Sequence, residues 1–324
     1  MTAAPGEFDL IGRFFRRAAS LPAEVLLGIG DDAALIDWTP DKALAVTVDT
    51  LVSGVHFLPD TDAFKLGHKA LAVNLSDLAA MGAEPAWATL ALTLPRADEA
   101  WLAGFSHGFF SLAARHGVTL IGGDTTRGPL SITLQVMGTV PKALALKRTG
   151  ARPGDRVYLT GSLGSAGLGL KMLQGSFPAT DPDLIRCQEM PQPRLETGRC
   201  LRGLATACID VTDGLAADLG HILAASGVGA ELQYDRLPLA DPVQAYCRTS
   251  GDWGFPLQAG DDYELCFTVP AHRETRLIEV MAAGGVPITR IGHIVAATPP
   301  RLTVWRGTDP LILTRTGFDH FADA

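Results

Sequence analysis

The stretch IDVTDGLAADLGHI, residues 209–222, joins a predicted strand to a predicted helix through a short acidic turn. Its apolar, β-branched start favours a buried strand that ends at Asp210. Thr212 or Asp213 is predicted to cap the helix that starts at Gly214. Helix capping explains Asp213 well but explains Asp210 poorly, whereas one bound cation explains both carboxylates. We therefore interpret this turn as a candidate cation site.

Similar acidic segments recur beside predicted strands along the chain. Their carboxylates are Asp31 and Asp32, Asp49, Asp77, Asp124, Asp210 and Asp213, and Asp261, Asp262 and Glu264. Carboxylates flanked by Gly, Ser and Thr are poor core residues but good ligands for hard cations. Six such segments predict a shared pocket in which several Mg²⁺ ions hold a polyphosphate.

The charge and composition of the chain limit its possible partners. The 324 residues carry a formal net charge of −8, so we expect no basic surface for nucleic acid or for an anionic membrane. A protein of this charge needs metal ions to handle phosphates, in agreement with the acidic segments. With 47% hydrophobic and 19% charged residues, the chain can fill two cores and does not resemble a disordered protein.

Cysteine usage and hydropathy predict an intracellular protein. The five cysteines form no CxxC pair, which indicates reduced structural thiols. The first residues lack the layout of a signal peptide. The longest apolar runs, such as residues 86–94, are too short to cross a bilayer. We expect a cytoplasmic protein with no membrane partner.

Alternating strand and helix periodicities predict two α+β domains. In the first, we predict strands at 43–49, 87–94, 118–121 and 131–140 and helices at 8–19, 62–82 and 98–116. Residues 141–155 interrupt the periodicity with Pro, Gly, Lys and Arg, so we place the boundary there and expect domains 1–140 and 141–324. In the second, we predict strands at 156–160, 205–211, 263–269 and 301–305 and helices at 164–174, 214–225 and 271–283.

Three motifs of the first half leave two interpretations open. Asp31 and Asp32 in GIGDDAA fit a shared cation or a solvated turn. His56 follows the strand of Asp49 and fits either a core imidazole with internal partners or a donor to an anionic substrate. In IGGDTTRG, the glycines before Asp124 fit a tight turn or the close approach of a ligand to the backbone.

Other polar residues carry further expectations. Asn74 and Asp77 are predicted on one face of a helix, and we expect them to line a pocket because burial without partners is costly. Arg148 fits bidentate phosphate binding and an exposed linker position almost equally. The Gly-rich segment 161–171 matches neither GxxxxGK[ST] nor GxGxxG, so we interpret it as a strand-to-helix turn.

Taken together, these segments resemble the thiamine-monophosphate kinase family, of the superfamily that includes aminoimidazole ribonucleotide synthetase and selenophosphate synthetase. The resemblance rests on GIGDDAAL, VDTLVSGVHF, KALAVNLSDLAAMGAEP, LIGGDTTRG, IDVTDGLAADLGHI, GDDYELCF and GFDHF. It implies ATP-dependent phosphorylation of thiamine monophosphate (TMP) to thiamine diphosphate. It also implies Mg²⁺ and a homodimer whose N-terminal mixed α/β domains join in a barrel, followed by a C-terminal α/β sandwich-like domain.

The resemblance also assigns roles to individual residues. By position, the metal ligands would be Asp31, Asp49, Asp77, Asp124, Asp210 and Asp213. ATP would contact Thr47, Gly123, Arg148 and Thr212, and the thiamine moiety would contact His56, Glu264 and Phe318. Thr212 stands where Ser is usual in the family, which keeps the hydroxyl but narrows the site. Ser53 replaces a commonly acidic position and is assigned no role.

No covalent nucleophile is expected. The sequence shows no Ser-His-Asp or Cys-His arrangement, and a phosphate monoester is already anionic near neutral pH because its second pKa is about 6. We therefore predict direct in-line transfer between ATP and the acceptor, assisted by Mg²⁺.

Two rival interpretations remain. One is another synthetase of the superfamily, of the selenophosphate or hydrogenase-maturation type, although this chain has no Cys before Cys187 and ends in FADA. The other is a non-catalytic Ca²⁺-binding module, whose EF-hand spacing is not found.

Overall fold

The computed structural model describes residues 7–16, 22–27, 35–37, 40–282 and 286–318. It divides into two compact units: unit 1 comprises Met1–Leu78 and Glu84–Lys142, and unit 2 comprises Ala79–Ala83 and Ala143–Ala324. Asp31 and Asp32 lie outside the described residues, so the acidic pair of GIGDDAA remains a prediction from the sequence.

Unit 1 contains a mixed four-stranded sheet in the order β3-β6-β4-β5. Its elements are α1 (Glu7–Phe14), β1 (Val25–Leu27), β2 (Leu35–Ile36), β3 (Lys42–Val52), α2 (Ala63–Ala80), β4 (Glu84–Leu94), α3 (Glu99–His116), β5 (Thr119–Arg127) and β6 (Ser131–Pro141). β6 pairs antiparallel with β3 and with β4, whereas β4 and β5 run parallel.

The two long helices of unit 1 approach each other at backbone distance. A Cβ atom on Gly67 of α2 would lie 2.0 Å from the carbonyl oxygen of Phe105, and one on Gly108 of α3 would lie 1.8 Å from that of Phe64. Both helix positions therefore require the absence of a side chain. This close contact fixes α2, which carries Asp77 of the candidate site.

Strand β3 forms one edge of the sheet, and its even-numbered face is exposed. Leu44, Val46 and Val48 are 43%, 50% and 59% exposed, respectively, whereas Leu51 on the other face is buried. The sequence predicted a buried strand at 43–49, and that prediction is wrong: the even-numbered side chains of this stretch are exposed and the odd-numbered ones are only half-buried. Apolar, β-branched composition indicates a strand but does not tell whether one face or both are covered within a single chain.

Unit 2 is built around a seven-stranded sheet in the order β13-β12-β9-β11-β7-β10-β8. Its elements are β7 (Arg156–Thr160), α4 (Ser165–Leu173), α5 (Pro182–Glu189), α6 (Leu195–Leu201), β8 (Ala207–Val211), α7 (Leu215–Ser226), β9 (Gly229–Gln233), α8 (Asp241–Ser250), α9 (Phe255–Gln258), β10 (Glu264–Val269), α10 (Glu274–Ala282), β11 (Ile288–Val295), β12 (Leu302–Arg306) and β13 (Asp309–Pro310). The β9–β12 pair is parallel, and the other pairs of this sheet are antiparallel.

The main core of unit 2 joins α7 to the sheet. Ile209 and Val211 of β8 belong to the same buried cluster as Leu215, Leu219 and Ile222 of α7. Each unit combines a sheet with packed helices, which confirms the predicted two-domain α+β architecture. Among the described residues, no helix combines the length and the apolar character needed to cross a membrane.

Candidate active site

Two carboxylates of unit 1 lie beside each other. Asp49 is in β3 and Asp77 is in α2, and the Thr47 hydroxyl donates a hydrogen bond to Asp77 Oδ2. Burial, then the charge of Asp77 and a hydrogen bond with that group, together raise the pKa of Asp49 to about 7. When both are ionised, the carboxylates of Asp49 and Asp77 repel each other in a partly desolvated position. A proton or a cation between them therefore stabilises this arrangement.

Asn74 and Ser76 precede Asp77 in the same helix and are completely buried. Asn74 Nδ2 donates to the Ala70 carbonyl oxygen at 3.2 Å. Asn74 Oδ1 and Ser76 Oγ have no hydrogen-bond partner within the structure. The expectation that Asn74 lines a pocket is wrong, because helical spacing gives the direction of a side chain but not the depth to which it is covered.

Asp124 lies within β5 and not in a turn after it. The register pairs Asp124 with Ala91, and it pairs Gly123 with Leu90. Asp49 aligns through β6 with Leu90, so the register places Asp124 and Asp49 on opposite faces of this sheet. Asp124 is exposed.

The backbone around position 123 requires a glycine there. Its φ is +148°, and a Cβ there would lie 1.9 Å from the Leu90 carbonyl oxygen. The glycine is therefore required by the neighbouring strand, whether or not a nucleotide also approaches it.

His56 is held in the turn after β3. Its Nδ1 accepts a hydrogen bond from the Val52 N–H at 3.0 Å. A neutral imidazole that accepts at Nδ1 carries its proton on Nε2, which can donate to an anionic group. The ring is half-buried and has an internal partner, so both interpretations that the sequence left open remain.

The acidic turn of unit 2 is organised by a structural carboxylate of helix α7. Asp218, in the first turn of α7, accepts the N–H groups of Thr212, Asp213 and Gly214 through Oδ2 at 2.9, 3.1 and 3.2 Å. Helix α7 has Gly214 at its N-cap and no side-chain cap bond, so the predicted cap by Thr212 or Asp213 is wrong. Burial raises the pKa of Asp218 to about 7, although these three hydrogen bonds lower it.

Two further segments brace this turn through the main chain. The Asp261 N–H donates to the Thr212 carbonyl oxygen at 2.8 Å, and the Phe318 N–H donates to that of Asp213 at 2.9 Å. Asp261 and Tyr263 have positive φ values of 68° and 49°, which is strained for side chains of this size. Phe318 is 52% exposed, so its ring lies on the surface next to the turn.

The segment GDDYELCF was expected to place Asp262 and Glu264 on one side of a strand, with Tyr263 on the other. The strand begins only at Glu264, and the two acids have separate partners. Asp262 accepts the N–H groups of Gly164 and Ala166 at 2.7 and 3.3 Å. Asp262 therefore occupies the N-terminus of α4, where an anionic ligand would bind. This supports the interpretation of residues 161–171 as a structural turn.

Glu264 is 5% exposed and makes a buried ion pair. Arg194 Nε and Nη2 donate to its two carboxylate oxygens at 2.6 and 2.5 Å, and Thr160 Oγ1 donates at 2.5 Å. The sequence offered no signal for Arg194, which lies 70 residues from its partner.

Arg148 has an exposed side chain on the segment before β7. Its main chain is held in place because its carbonyl oxygen accepts the Ser226 hydroxyl at 3.3 Å. Exposure leaves both of its earlier interpretations open.

The donor sets fit Mg²⁺, although neither unit builds a complete cage from the described residues. Among these residues, no group of three or more His, Cys, Asp or Glu side chains is close enough to hold a metal ion. Mg²⁺ usually binds one or two carboxylates and takes its other ligands from water and phosphate oxygens. The Asp49–Asp77 pair meets that description, and Asp210 and Asp213 flank one turn that can do so.

Comparisons with known proteins give this architecture a class. The model of the N-terminal domain of AIR synthase related proteins matches residues 30–140, and that of their C-terminal domain matches residues 152–304. The fold and the acidic turns therefore define an AIR synthase related protein with two domains.

Full-length relatives narrow this class. The thiamine-monophosphate kinase of Escherichia coli K12 is 48% identical and covers 98% of this chain and 99% of the relative. The crystal structure of thiamine-monophosphate kinase from Stenotrophomonas maltophilia K279a has 46% identity and a TM-score of 0.81, covering 86% of this chain and 91% of that one. AaThiL complexed with AMPPCP and TMP has 29% identity and a TM-score of 0.77, covering 88% and 89%, respectively. The chain belongs to the thiamine-monophosphate kinase family.

Proposed function

We propose that this chain phosphorylates TMP to thiamine diphosphate with ATP as the phosphoryl donor, by direct in-line transfer. The observation that carries this proposal is the similarity to thiamine-monophosphate kinases along almost the whole chain. The complex of AaThiL with AMPPCP and TMP supports the choice of the two substrates. The same similarity disfavours the selenophosphate and hydrogenase-maturation alternatives and a Ca²⁺-binding module.

Mg²⁺ is the implied metal. Asp49 and Asp77 would hold it in unit 1, and Asp210 and Asp213 would hold it in unit 2. Asp31 and Asp124 would be further ligands, and Asp124 would serve a different ion from Asp49 because the two lie on opposite faces of the sheet. When bound, the metal neutralises the phosphates of both substrates, whose like charges repel by about 4 kcal/mol at ~4 Å and an effective dielectric of 20. The Thr47 hydroxyl and the Asp218 carboxylate keep Asp77 and the turn of Asp213 in place.

The side chains bind and orient the substrates and do not react with them. The TMP phosphate is already an anionic nucleophile near neutral pH, so no strong general base is required. Thr47, Gly123, Arg148 and Thr212 contact ATP. His56 donates from Nε2 to an anionic group of the substrate, Phe318 stacks on an aromatic ring of thiamine, and Glu264 contacts the thiamine moiety.

The protein is a homodimer that joins through the N-terminal domain. The exposed apolar face of β3, with Leu44, Val46 and Val48, supports this proposal because contiguous exposed apolar surface typically marks a protein–protein interface. Among the strands of the described residues, none other than β6 pairs with β3, so its outer edge is open in this part of the chain. Placement in the cytoplasm is supported by the five cysteines, all of which are free thiols.

ADP release measured with and without TMP and Mg²⁺ tests the reaction. We expect turnover only when ATP, TMP and Mg²⁺ are all present, and thiamine diphosphate as the product. ATP that is chiral at the γ-phosphate should give inversion of configuration. Net retention would rule out direct transfer, and turnover that is independent of TMP would rule out the function.

A further inference from the structure

The buried pair of Arg194 and Glu264 has a geometry that restricts what Glu264 can do. Arg194 is the N-cap residue of α6, and Glu264 begins β10. The side chains of Arg194 and Glu264 are 23% and 6% exposed. The planar guanidinium donates through Nε to Oε2 and through Nη2 to Oε1, which is the bidentate arrangement that fixes a carboxylate in one plane.

Counting hydrogen-bond acceptors shows how much of the carboxylate remains available. Each carboxylate oxygen accepts about two hydrogen bonds. Oε2 accepts from Arg194 and from the Thr160 hydroxyl, so its capacity is filled. Oε1 accepts from Arg194 alone and retains one acceptor position.

The backbone of Gly161 prevents the carboxylate from turning. A Cβ on Gly161 would lie 1.9 Å from Glu264 Oε1, so the main chain packs directly against that oxygen. Arg194 and Gly161 together leave one orientation of the carboxylate. The remaining acceptor position of Oε1 therefore has a fixed direction.

Electrostatics maintains the pair in its charged form. Burial would lower the pKa of Arg194, but the hydrogen bonds and the charge of Glu264 raise it above its ordinary value. The two charges cancel, so Glu264 presents a hydrogen-bond acceptor without a net negative charge. Such a group favours a ligand with an N–H donor over a ligand that carries a positive charge but no donor.

We propose that Arg194 is a positioning residue of the substrate site, which aims Glu264 Oε1 at an N–H donor of the substrate, such as the amino group of the aminopyrimidine ring of thiamine. This inference rests on the proposed function, in which Glu264 contacts the thiamine moiety. Arg194 itself touches no substrate in this proposal and acts through the carboxylate that it holds.

Steady-state kinetics of Arg194→Gln, Glu264→Gln and the double variant test the inference. Arg194→Gln should raise the KM for TMP about tenfold or more, because a misdirected acceptor loses its bond to the substrate, and leave the KM for ATP within about twofold. The double variant should be no worse than Glu264→Gln, since the two residues act as one unit. It also carries no unpaired buried charge, so it remains informative if Arg194→Gln folds poorly.

Arg186→Gln is the matched control. Arg186 lies in the neighbouring helix α5 and pairs with Asp183 at 3.0 Å on the surface. We expect the KM for TMP to stay at the wild-type value in this variant. The comparison separates the effect of the buried pair from the general loss of an arginine.

The pattern of kinetic changes distinguishes positioning from a purely structural role. A misdirected acceptor should raise the KM for TMP and leave the KM for ATP near the wild-type value, whereas a disturbed fold should change both KM values together. Equal changes in both KM values, or additive effects in the double variant, would overturn the positioning role. Absence of TMP-dependent turnover in the wild type would overturn the proposed function as well.

Discussion

At the scale of single residues, Asp218 shows how one carboxylate can arrange a whole turn. Its Oδ2 accepts three consecutive backbone N–H groups, a task that the sequence analysis gave to Thr212 or Asp213. The misassignment has a physical cause, because a cap residue and an acid in the first helical turn can serve the same N–H groups. Spacing along the sequence does not distinguish the two.

Asp218→Ala should lower both stability and activity. The loss of the acceptor leaves up to three N–H groups unsatisfied, so we expect the free energy of unfolding to fall by about 1–3 kcal/mol. The kcat should fall too, because the turn that carries Asp213 loses its support. Urea denaturation and steady-state kinetics measure these effects, and the surface variant Asp183→Ala is the control. Wild-type kcat in Asp218→Ala would contradict the assigned role.

Asp49→Asn should weaken the stabilisation of the protein by Mg²⁺. The folded pKa of Asp49 is about 7, above its ordinary value of 3.8, so its contribution to stability is lost as the pH rises through about 7. At about pH 8 without metal, the Asn variant should therefore melt higher than the wild type. Mg²⁺ should raise the melting temperature of the wild type more than that of the variant. Exposed Asp60→Asn is the control, and an equal Mg²⁺ response in Asp49→Asn would exclude Asp49 as a ligand.

His116 should make stability depend on pH below neutrality. Burial, followed by the charges of Arg115 and His68, lowers its pKa from the ordinary value of 6.5. A lowered folded pKa means that the unfolded chain binds the proton more tightly, so stability falls as the pH drops through and below about 6.5. His116→Gln should flatten that dependence in denaturant titrations. An unchanged slope in the variant would show that another group is responsible.

At the scale of elements, the sequence predicted best the helices and strands whose ends carry their own signals. Helix α3 was expected at 98–116 and spans Glu99–His116, with Asp98 as a cap that accepts the Trp101 N–H and Gly117 in the left-handed conformation. Strand β7 was expected at 156–160 and is found there. In such cases the residues at the two ends of an element are sufficient to predict its bounds.

Other elements were missed. Strands β9 and β11 and helices α5, α6, α8 and α9 were not predicted, although Asp181 caps the start of α5 and Gly251 ends α8 in the left-handed conformation. The candidate site was also only partly predicted. Aspartates beside strands were found by composition and spacing, whereas Arg194 and its bond to Glu264 arise only when distant segments meet.

Gly67→Ala should destabilise the protein through the contact between α2 and α3. The added Cβ would lie 2.0 Å from the Phe105 carbonyl oxygen, so the helices must separate at a cost of about 1–3 kcal/mol. Gly220→Ala in α7 is the matched control. It has no heavy atom within 4 Å of the added Cβ and should stabilise by about 0.5–1 kcal/mol. Thermal unfolding measures both, and equal melting temperatures for the two variants would contradict the contact.

At the scale of the whole molecule, the exposed face of β3 should determine the oligomeric state. Val46→Lys places a charge in the centre of that apolar surface, which includes Leu44 and Val48. We expect the variant to be monomeric, or to dissociate at much higher concentration than the wild type, in analytical ultracentrifugation. Ile312→Lys, at an 86% exposed apolar residue of unit 2, is the control. A dimeric Val46→Lys would exclude this surface as the interface.

The carboxylate that closes the start of α4 has a consequence for how new binding properties could arise. Asp262 already accepts the N–H groups of Gly164 and Ala166, so its carboxylate neutralises the positive N-terminal end of that helix. Replacing Asp262 with a shorter, uncharged residue should free these two N–H groups for a small oxyanion. A single side chain therefore decides whether the start of α4 can attract a phosphate.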